Sequence, residues 1–224
     1  EALVRLMVTG VSDELRVFGL SPETLSALPY LITLDEDTRP DAESLDRLLE
    51  AAAHPLNRPV VEDGAVRSGY GILEPGLIVS PKSAATPFAA LLTGCGGFDR
   101  YAEGQDAWSM LLSASSPFTG KGLIDVRAYA EVLFDRLPEG VILSHDLPEG
   151  ELLRTGCCSA AAFAEDFPAD AASYYARAHR WLRGDVQNLC LLSGVRLPRM
   201  GRLRILLNAA RGLAPVFHAA ALLL

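Results

Sequence analysis

The sequence has few cysteines, and their spacing matches no common use of that residue. Its 224 residues include four, namely Cys95, Cys157, Cys158 and Cys190, without a C-x-x-C motif or a nearby pair of histidines. Structural zinc sites and disulfide frameworks need a different pattern, so buried free thiols are expected. Internal repeats and low-complexity segments are lacking as well, and a hydrophobic content of 50% excludes a disordered chain.

The acidic and basic residues are unevenly distributed along the chain. The formal net charge is −8, yet eight arginines and a single acid, Asp185, fall within the last 48 residues. The first 176 residues therefore carry −15, from 12 basic and 27 acidic side chains, and the last 48 carry +7. Aromatic residues are not interleaved with these arginines, which argues against nucleic acid as a partner.

The basic end carries an apolar stripe at helical spacing instead. The stripe consists of Met200, Leu203, Leu206, Leu207, Ala210 and Leu213, and the other side carries Arg199, Arg202, Asn208 and Arg211. A basic amphipathic helix of this kind is typical of a segment that lies on a membrane surface. A surface helix packed on its own domain fits the same periodicity equally well.

Residues 213–224 are apolar and carry no formal charge apart from His218 when it is protonated. Because a spanning helix needs about 20 apolar residues, this run is too short to cross a bilayer. We expect it to be the opening of a transmembrane helix, with the preceding arginines on the cytoplasmic side. The uncapped helix at Glu1 agrees with this, so we expect the chain to be a fragment of a longer protein.

Apolar periodicity and turn residues predict that helices and strands alternate. Predicted helices end at Met7, begin at Ser21-Pro22, and cover 41–53, 86–115 with a break at 94–97, 125–134, 148–155 and 171–192. Predicted strands cover 29–34, 66–73, 141–144 and 157–165, the first and third of them buried. This alternation indicates an α/β layer architecture.

Acidic residues follow two of these predicted strands. Asp35 and Asp37 come after the strand 29–34, and Asp146 comes after the strand 141–144. Ligands of open α/β sheets bind beyond the carboxyl ends of the strands, so these carboxylates are candidate site residues. Asp35 and Asp37 suit a hard cation such as Mg²⁺ together with phosphate oxygens, although a solvated acidic turn fits them equally well.

Asp146 has two interpretations. As a general base it would deprotonate a hydroxyl within its reach. As the first residue of Asp146-Leu147-Pro148-Glu149 it would head a capping box, with the glutamate three residues on, and one aspartate can serve both purposes. The neighbouring His145 is better interpreted as a supporting or core histidine than as the base.

A third candidate group lies on the helix predicted at 171–192. Arg177, Arg180 and Trp181 share one helical face, at spacings of three and four residues. Arg180 could meet a diphosphate oxygen, and the Trp181 indole offers a flat apolar wall to a sugar ring. Taken alone, a membrane-proximal arginine cluster around a core tryptophan fits this group better.

Six blocks of the sequence, taken together, resemble one family. They are LITLDEDT (31–38), AHPLNRP (53–59), GYGILEP (69–75), SPFTGKGLIDV (116–126), LSHDLPEG (143–150) and RAHRWLRGD (177–185). In this order they resemble the glycosyltransferase domain of cyclic β-1,2-glucan synthases, which are bacterial inner-membrane enzymes. A more distant similarity extends to the processive transferases that make cellulose and chitin.

The resemblance implies a particular fold and location. It implies an α/β glycosyltransferase A-type fold, the Rossmann-like fold of nucleotide-diphospho-sugar transferases, here without its first nucleotide-binding strands. Residues 1–195 would form the catalytic domain, and 196–224 an interfacial amphipathic helix followed by a truncated transmembrane segment. The protein would lie at the bacterial inner membrane with its catalytic face in the cytoplasm, and this fragment would be inactive in isolation.

The resemblance also implies a reaction, namely inverting transfer of glucose from UDP-glucose onto a growing β-1,2-glucan. By motif match, Asp35 and Asp37 would hold Mg²⁺ or Mn²⁺, with Asp37 the better ligand, and Asp146 would be the catalytic base. Arg177, Arg180 and Trp181 match the (Q/R)xxRW motif and would bind the donor or the glucan. Further donor or acceptor contacts are expected from Gly69, Tyr70, Gly71, Gly120, Lys121, Gly122 and His145.

Two other functions remain open. Residues 31–38 also resemble the nucleophile loop of aspartate-dependent phosphatases, whose first aspartate, here Asp35, forms an aspartyl-phosphate. Arg39 stands where that motif has Thr or Val. The other alternative is a non-catalytic, membrane-associated remnant of the transferase fold, against which the intact Asp37, Asp146 and Trp181 argue.

Overall fold

The computed structural model describes residues 1–12, 15–94, 109–138, 140–214 and 220–222. Within these ranges the helices include α1 (Ala2–Thr9), α2 (Pro22–Ser26), α3 (Ala42–Ala53), α4 (Pro87–Gly94), α5 (Val126–Leu133), α6 (Asp146–Leu153), α7 (Ala171–Gln187), α8 (Leu191–Gly194) and α9 (Arg199–Arg211). The strands are β1 (Tyr30–Thr33), β2 (Val60–Glu62), β3 (Ala65–Ser68), β4 (Ile72–Val79), β5 (Gly122–Asp125) and β6 (Thr155–Glu165). The mixed α/β architecture predicted from the sequence is therefore confirmed.

Four strands form the main sheet, in the order β1-β5-β4-β6. β5 is antiparallel to both β1 and β4, whereas β4 and β6 are parallel. Consequently β1, β4 and β6 run in one direction and β5 runs in the other. The carboxyl ends of β1 and β6 thus face the same way as the amino end of β5, and Thr33 pairs directly with Gly122. β2 and β3 form a separate antiparallel ribbon.

Side-chain caps fix the start of four helices. Ser21, Asp41, Asp125 and Asp170 each accept a hydrogen bond from the backbone N–H three residues on. A cap of this kind typically stabilises a helix by about 1 kcal/mol. All four starts coincide with helices predicted at Ser21, 41–53, 125–134 and 171–192, which the structure confirms.

The core lies on both faces of the main sheet, because successive side chains of a strand point to opposite sides. Ile72 and Ile124 pack on one side, in a cluster that includes residues of α1, α5, α6 and α9. Leu73 and Leu123 face the other side, where they pack with Leu48 of α3. Helices thereby cover both faces of the main sheet, and loops lie at the ends of its strands.

The structure corrects two predicted strands. The strand predicted at 66–73 is in fact β3 and β4, separated by a turn in which Gly69 has a φ of +66°. The buried strand predicted at 141–144 is a loop, in which Val141 and Leu143 are 51% and 53% exposed. A short apolar run fits either a strand or a loop that buries one side chain, and here Ile142 is that side chain. The strand predicted at 29–34 exists as β1 but is only half-buried.

The capping box predicted at Asp146 is also wrong. His145, rather than Asp146, precedes the helix, and its backbone is already helical, with φ −94° and ψ −13°. Asp146 is the first residue of α6, and Pro148 is tolerated two residues later because N–H groups of a first turn have no helical partner. Asp146 therefore follows a loop and begins a helix instead of ending a strand, which leaves its carboxylate available to the cleft.

Helix α9 presents its predicted apolar stripe to the outside. Leu203, Leu206 and Leu207 are about half exposed, at 46%, 50% and 57%, whereas Arg204 and Ile205 are buried. The helix thus packs on α6 and α7 through its other side. No helix in the described ranges is both long and apolar enough to cross a bilayer. Most of the predicted transmembrane opening, 215–219 and 223–224, lies outside those ranges.

The cysteines within the described residues form no disulfide with one another, as expected, but not all of them are buried. Cys158 is buried, Cys157 is half-buried and Cys190 is exposed. Cys95 lies outside the described residues, as does most of the second half of the helix predicted at 86–115.

Candidate active site

A cleft of about 1250 Å³ lies beside the carboxyl ends of β1 and β6. Nine of the predicted site residues line it: Asp35, Asp37, Gly120, Lys121, His145, Asp146, Arg177, Arg180 and Trp181. They come from four separate stretches of the chain, which the sheet and its loops bring to one place. This cleft is the candidate active site, because acidic and basic side chains lie close together in it.

One wall of the cleft is an acidic cluster formed by Asp35, Asp37 and Glu165. Carboxylate oxygens of all three lie within 4.8 Å of one another. Glu165, the last residue of β6, is 6% exposed and accepts a hydrogen bond from the Thr38 hydroxyl at 3.1 Å. Oxygen ligands at this spacing suit Mg²⁺ or Mn²⁺, so these residues fit a divalent cation.

Lys121 forms ion pairs with two members of this acidic cluster. Its Nζ lies 2.6 Å from Glu165 Oε1 and 3.1 Å from Asp35 Oδ2, and the residue is 8% exposed. Burial by itself would lower the pKa of Lys121, but the two carboxylates outweigh it and the pKa is raised. Lys121 is therefore a fixed positive charge within the cluster at any physiological pH.

Asp146 stands apart from the acidic cluster in the same cleft. Its Oδ2 accepts a hydrogen bond from the Ser144 hydroxyl at 3.3 Å. Burial raises the pKa of Asp146 and Asp35 adds to that, while Ser144, Lys121 and His145 oppose it. The position at a helix N-terminus also favours the ionised form, yet burial prevails. A carboxylate with a raised pKa is a stronger proton acceptor, as a general base requires.

The loop 118–121 connects Asp146 with the acidic cluster. Gly120 has a φ of +93°, and a Cβ there would lie 3.1 Å from Asp146 Oδ1, so the glycine lets the backbone approach the carboxylate. The next residue, Lys121, reaches Asp35 and Glu165. Glu74 of β4 holds this loop, since its Oε1 accepts hydrogen bonds from the Thr119 N–H at 2.9 Å and from the Thr119 hydroxyl.

Helix α7 supplies the cationic and aromatic wall. The Arg177 guanidinium stacks on Trp181, with Cζ 4.8 Å from the ring centroid, and on Phe167 at 5.7 Å. The Arg177 Nε is buried and has no hydrogen-bond partner within the described residues. Trp181 is 42% exposed, so its ring still offers a face to the cleft. Arg180 is exposed beside it.

Four predicted contact residues do not line the cleft. Gly69, Tyr70 and Gly71 form the turn between β3 and β4, where a Cβ on Gly69 would stand 1.9 Å from the Arg58 carbonyl oxygen. The Gly71 N–H donates to the Leu153 carbonyl at 2.7 Å, which fixes the turn to the end of α6. The fourth, Gly122, opens β5, and a Cβ there would lie 2.6 Å from the Leu73 carbonyl oxygen.

The structure adds groups to the cleft that the sequence did not single out. Glu165 ends the predicted strand 157–165, so the strand-end rule that selected Asp35 applies equally to it. Glu149 and Tyr129 also line the cleft, and the Tyr129 hydroxyl donates to Glu149 Oε1 at 3.0 Å. Burial, followed by the charge of Asp146, raises the pKa of Glu149 from 4.5 to about 7.

No protein-family model matches the chain. Among curated proteins, the chain is 35% identical over 198 residues to the cyclic β-(1,2)-glucan synthase NdvB of Rhizobium meliloti (strain 1021). The chain is therefore related to a domain of the cyclic β-(1,2)-glucan synthases. The alignment covers 86% of this chain and 7% of that synthase, so the similarity concerns one segment of a much longer protein. Within this segment the resemblance stated from the sequence is confirmed.

Proposed function

We propose that this chain is the catalytic segment of an inverting glycosyltransferase of the A-type fold, which moves glucose from UDP-glucose onto a β-1,2-glucan. The observation that carries the proposal is the pairing, in one cleft, of an acidic cluster that fits a divalent cation with a separate, half-buried carboxylate, Asp146. Inversion needs only one displacement, with a base for the acceptor and positive charge for the leaving diphosphate. The similarity to a glucan synthase supports the sugar and the linkage.

Each side chain has a part in this reaction. Asp35, Asp37 and Glu165 would hold Mg²⁺ or Mn²⁺, which when bound neutralises charge on the departing diphosphate. Asp146 takes the proton from the acceptor hydroxyl as the new bond to the sugar forms and the bond to the diphosphate breaks. Arg180 is free to meet diphosphate oxygens, and Trp181 offers its ring to a sugar.

Helix α9 suggests where the reaction takes place. Its exposed Leu203, Leu206 and Leu207 form an apolar surface, and Arg202 and Arg211 stand exposed beside it. An apolar face flanked by arginines favours the surface of an anionic bilayer. We therefore place the chain at the cytoplasmic face of a bacterial inner membrane, where the acceptor glucan grows.

Two variants of the complete natural protein that contains this sequence test the proposal. Asp146→Asn should reduce transfer from UDP-glucose by on the order of 10²- to 10⁴-fold while donor binding is kept, because the base acts on the acceptor. Asp37→Ala should weaken donor binding that depends on Mn²⁺, measured by titration. The matched control is Asp46→Asn, because Asp46 is an exposed residue of α3 outside the cleft. This substitution should leave both transfer and donor binding unchanged.

Full activity of Asp146→Asn would remove the base from the mechanism. Covalent labelling of Asp35 by a phosphorylated substrate, without any need for a nucleotide sugar, would favour the phosphatase alternative instead. Absence of any transfer by the natural protein, with a panel of nucleotide sugars as donors, would favour the non-catalytic alternative.

A further inference from the structure

The carboxyl half of α7 contacts the loop that precedes Asp146 at two points. The Gln187 Oε1 accepts a hydrogen bond from the Leu143 backbone N–H at 3.0 Å. Gly184 faces the next residue, because a Cβ on Gly184 would lie 3.0 Å from Ser144 Cβ and 3.7 Å from its backbone N. The Ser144 hydroxyl in turn donates to Asp146 Oδ2. A continuous set of contacts therefore runs from α7 to the catalytic carboxylate.

We propose that Gly184 and Gln187 are positioning residues, which hold the 143–144 backbone so that Ser144 directs the Asp146 carboxylate into the cleft. The proposal rests on the function proposed above, in which Asp146 is the base. It gives a reason for a glycine in the last turn of a 17-residue helix, where alanine would be the better helix former. It also explains why a segment without strand partners, 141–144, is nevertheless held in place.

The same helix carries the residues expected to bind the substrates. Trp181 and Arg180 precede Gly184 by three and four residues, so they lie on the same side of α7, one turn earlier. Because a helix is rigid over one turn, Arg180 and Trp181, which are proposed to bind the substrates, cannot move independently of Gly184, which supports the loop before Asp146. We infer that α7 fixes the distance between the sugar-binding wall and the base.

A displacement of Ser144 should change the pKa of Asp146, because the Ser144 hydroxyl stabilises the ionised form of that carboxylate. The other charged groups that act on Asp146 come from other segments: Asp35 from the loop after β1 and Lys121 from the loop before β5, with His145 and Glu149 beside it in sequence. Helix α7 itself brings Arg177, Arg180, Arg183 and Asp185 to the same cleft. The substitutions Gly184→Ala and Gln187→Met change none of these charges. Loss of the Ser144 contact should therefore raise the pKa of Asp146.

Two pairs of variants in the complete natural protein test the proposal. Gly184→Ala should lower kcat by on the order of 10- to 100-fold, as expected when a catalytic group is misplaced by about 1 Å. It should leave KM for UDP-glucose within about twofold, because the donor's ligands are untouched. Gly194→Ala is its matched control, since Gly194 is also helical and a Cβ there meets nothing within 4 Å.

Gln187→Met removes the acceptor oxygen at similar length, whereas Gln187→Glu keeps one. The methionine variant should lower kcat and move the acidic limb of the kcat–pH profile to higher pH. The glutamate variant should restore kcat to near the natural value. Because alanine favours a helix interior over glycine, thermal unfolding should show Gly184→Ala to be folded, which separates misplacement from loss of structure.

The results distinguish the two proposals. If Asp146→Asn is inactive while Gly184→Ala and Gln187→Met keep the natural kcat and pH profile, the positioning role is wrong and the proposed function stands. A kcat reduced equally in Gln187→Met and Gln187→Glu, with an unshifted profile, would also overturn it. If Asp146→Asn is fully active, the base is wrong and this inference fails with it.

Discussion

Removing the guanidinium of Arg204 should destabilise the chain severely, because it leaves the buried carboxylate of Glu151 without its ion-pair partner. Arg204 of α9 and Glu151 of α6 are 9% and 5% exposed, and their side chains form a close ion pair. Arg204 Nη2 also donates to the Ser113 hydroxyl at 2.9 Å and to the Ser115 carbonyl at 2.8 Å. Breaking a buried pair from one side typically costs about 3–5 kcal/mol.

The loss should be large in a urea titration. A domain of this size unfolds with an m-value near 3 kcal/mol/M, so Arg204→Met should lower the urea midpoint by about 1–1.7 M. Arg202→Met is the matched control, because Arg202 is exposed two residues earlier on the same helix. A surface substitution of that kind should change stability by less than about 0.5 kcal/mol.

The pH dependence of the loss tests its cause. Burial raises the pKa of Glu151, and Arg204 opposes that rise, so Arg204→Met should raise the pKa further. A raised carboxyl pKa gives stability that is fully present below the unfolded pKa and is lost as pH rises through the folded value. The deficit of Arg204→Met should therefore shrink as the pH falls from 7 to 5. Replacing both residues, as Arg204→Met with Glu151→Leu, should recover most of the stability.

Either of two results would refute this reasoning. A deficit below about 1 kcal/mol would mean that Glu151 finds another partner or reaches water when Arg204 is removed. A deficit that does not vary between pH 5 and 7 would mean that lost packing, rather than the stranded charge of Glu151, accounts for it.

Two further predictions concern groups away from α9. Gly69→Ala should lower the free energy of unfolding by roughly 3 kcal/mol or more, since the backbone is left-handed and the added Cβ would overlap the Arg58 carbonyl oxygen; thermal unfolding, with Gly194→Ala as reference, checks it. Because the pKa of Glu149 is raised from 4.5 to about 7, the free energy of unfolding should fall as the pH rises between these values. At 1.36 kcal/mol per pH unit the fall amounts to at most about 3 kcal/mol. Glu149→Gln should remove this pH dependence, which unfolding titrations at several pH values would measure.

Local signals in the sequence predicted most of the elements correctly. Ser21, Asp41 and Asp125 are caps whose effect is complete within three residues, so the helices they begin could be located without tertiary information. The run 141–144 could not be decided in this way. Its apolar residues fit a strand as well as a loop, and the loop is held by Gln187, more than 40 residues away.

The candidate site was predicted in outline but not in its contacts. Asp35 could be found because it follows a strand, and the same rule applies to Glu165. The contact between Thr38 and Glu165 joins positions 127 residues apart, and no periodicity signals such a pair. Lys121 was expected to touch a substrate, and the sequence did not indicate that its ammonium binds Glu165 and Asp35.

The position of Lys121 fixes the charge that any ligand of the acidic cluster meets. Asp35, Asp37 and Glu165 carry three negative charges when ionised, and Lys121 returns one, which leaves −2. A nucleoside diphosphate brings more negative charge and would be repelled, while a single divalent cation would make the cluster neutral. A monovalent ion would leave half of the charge in place. In the reaction proposed above, Lys121 would therefore favour a divalent over a monovalent ion as the companion of the nucleotide sugar.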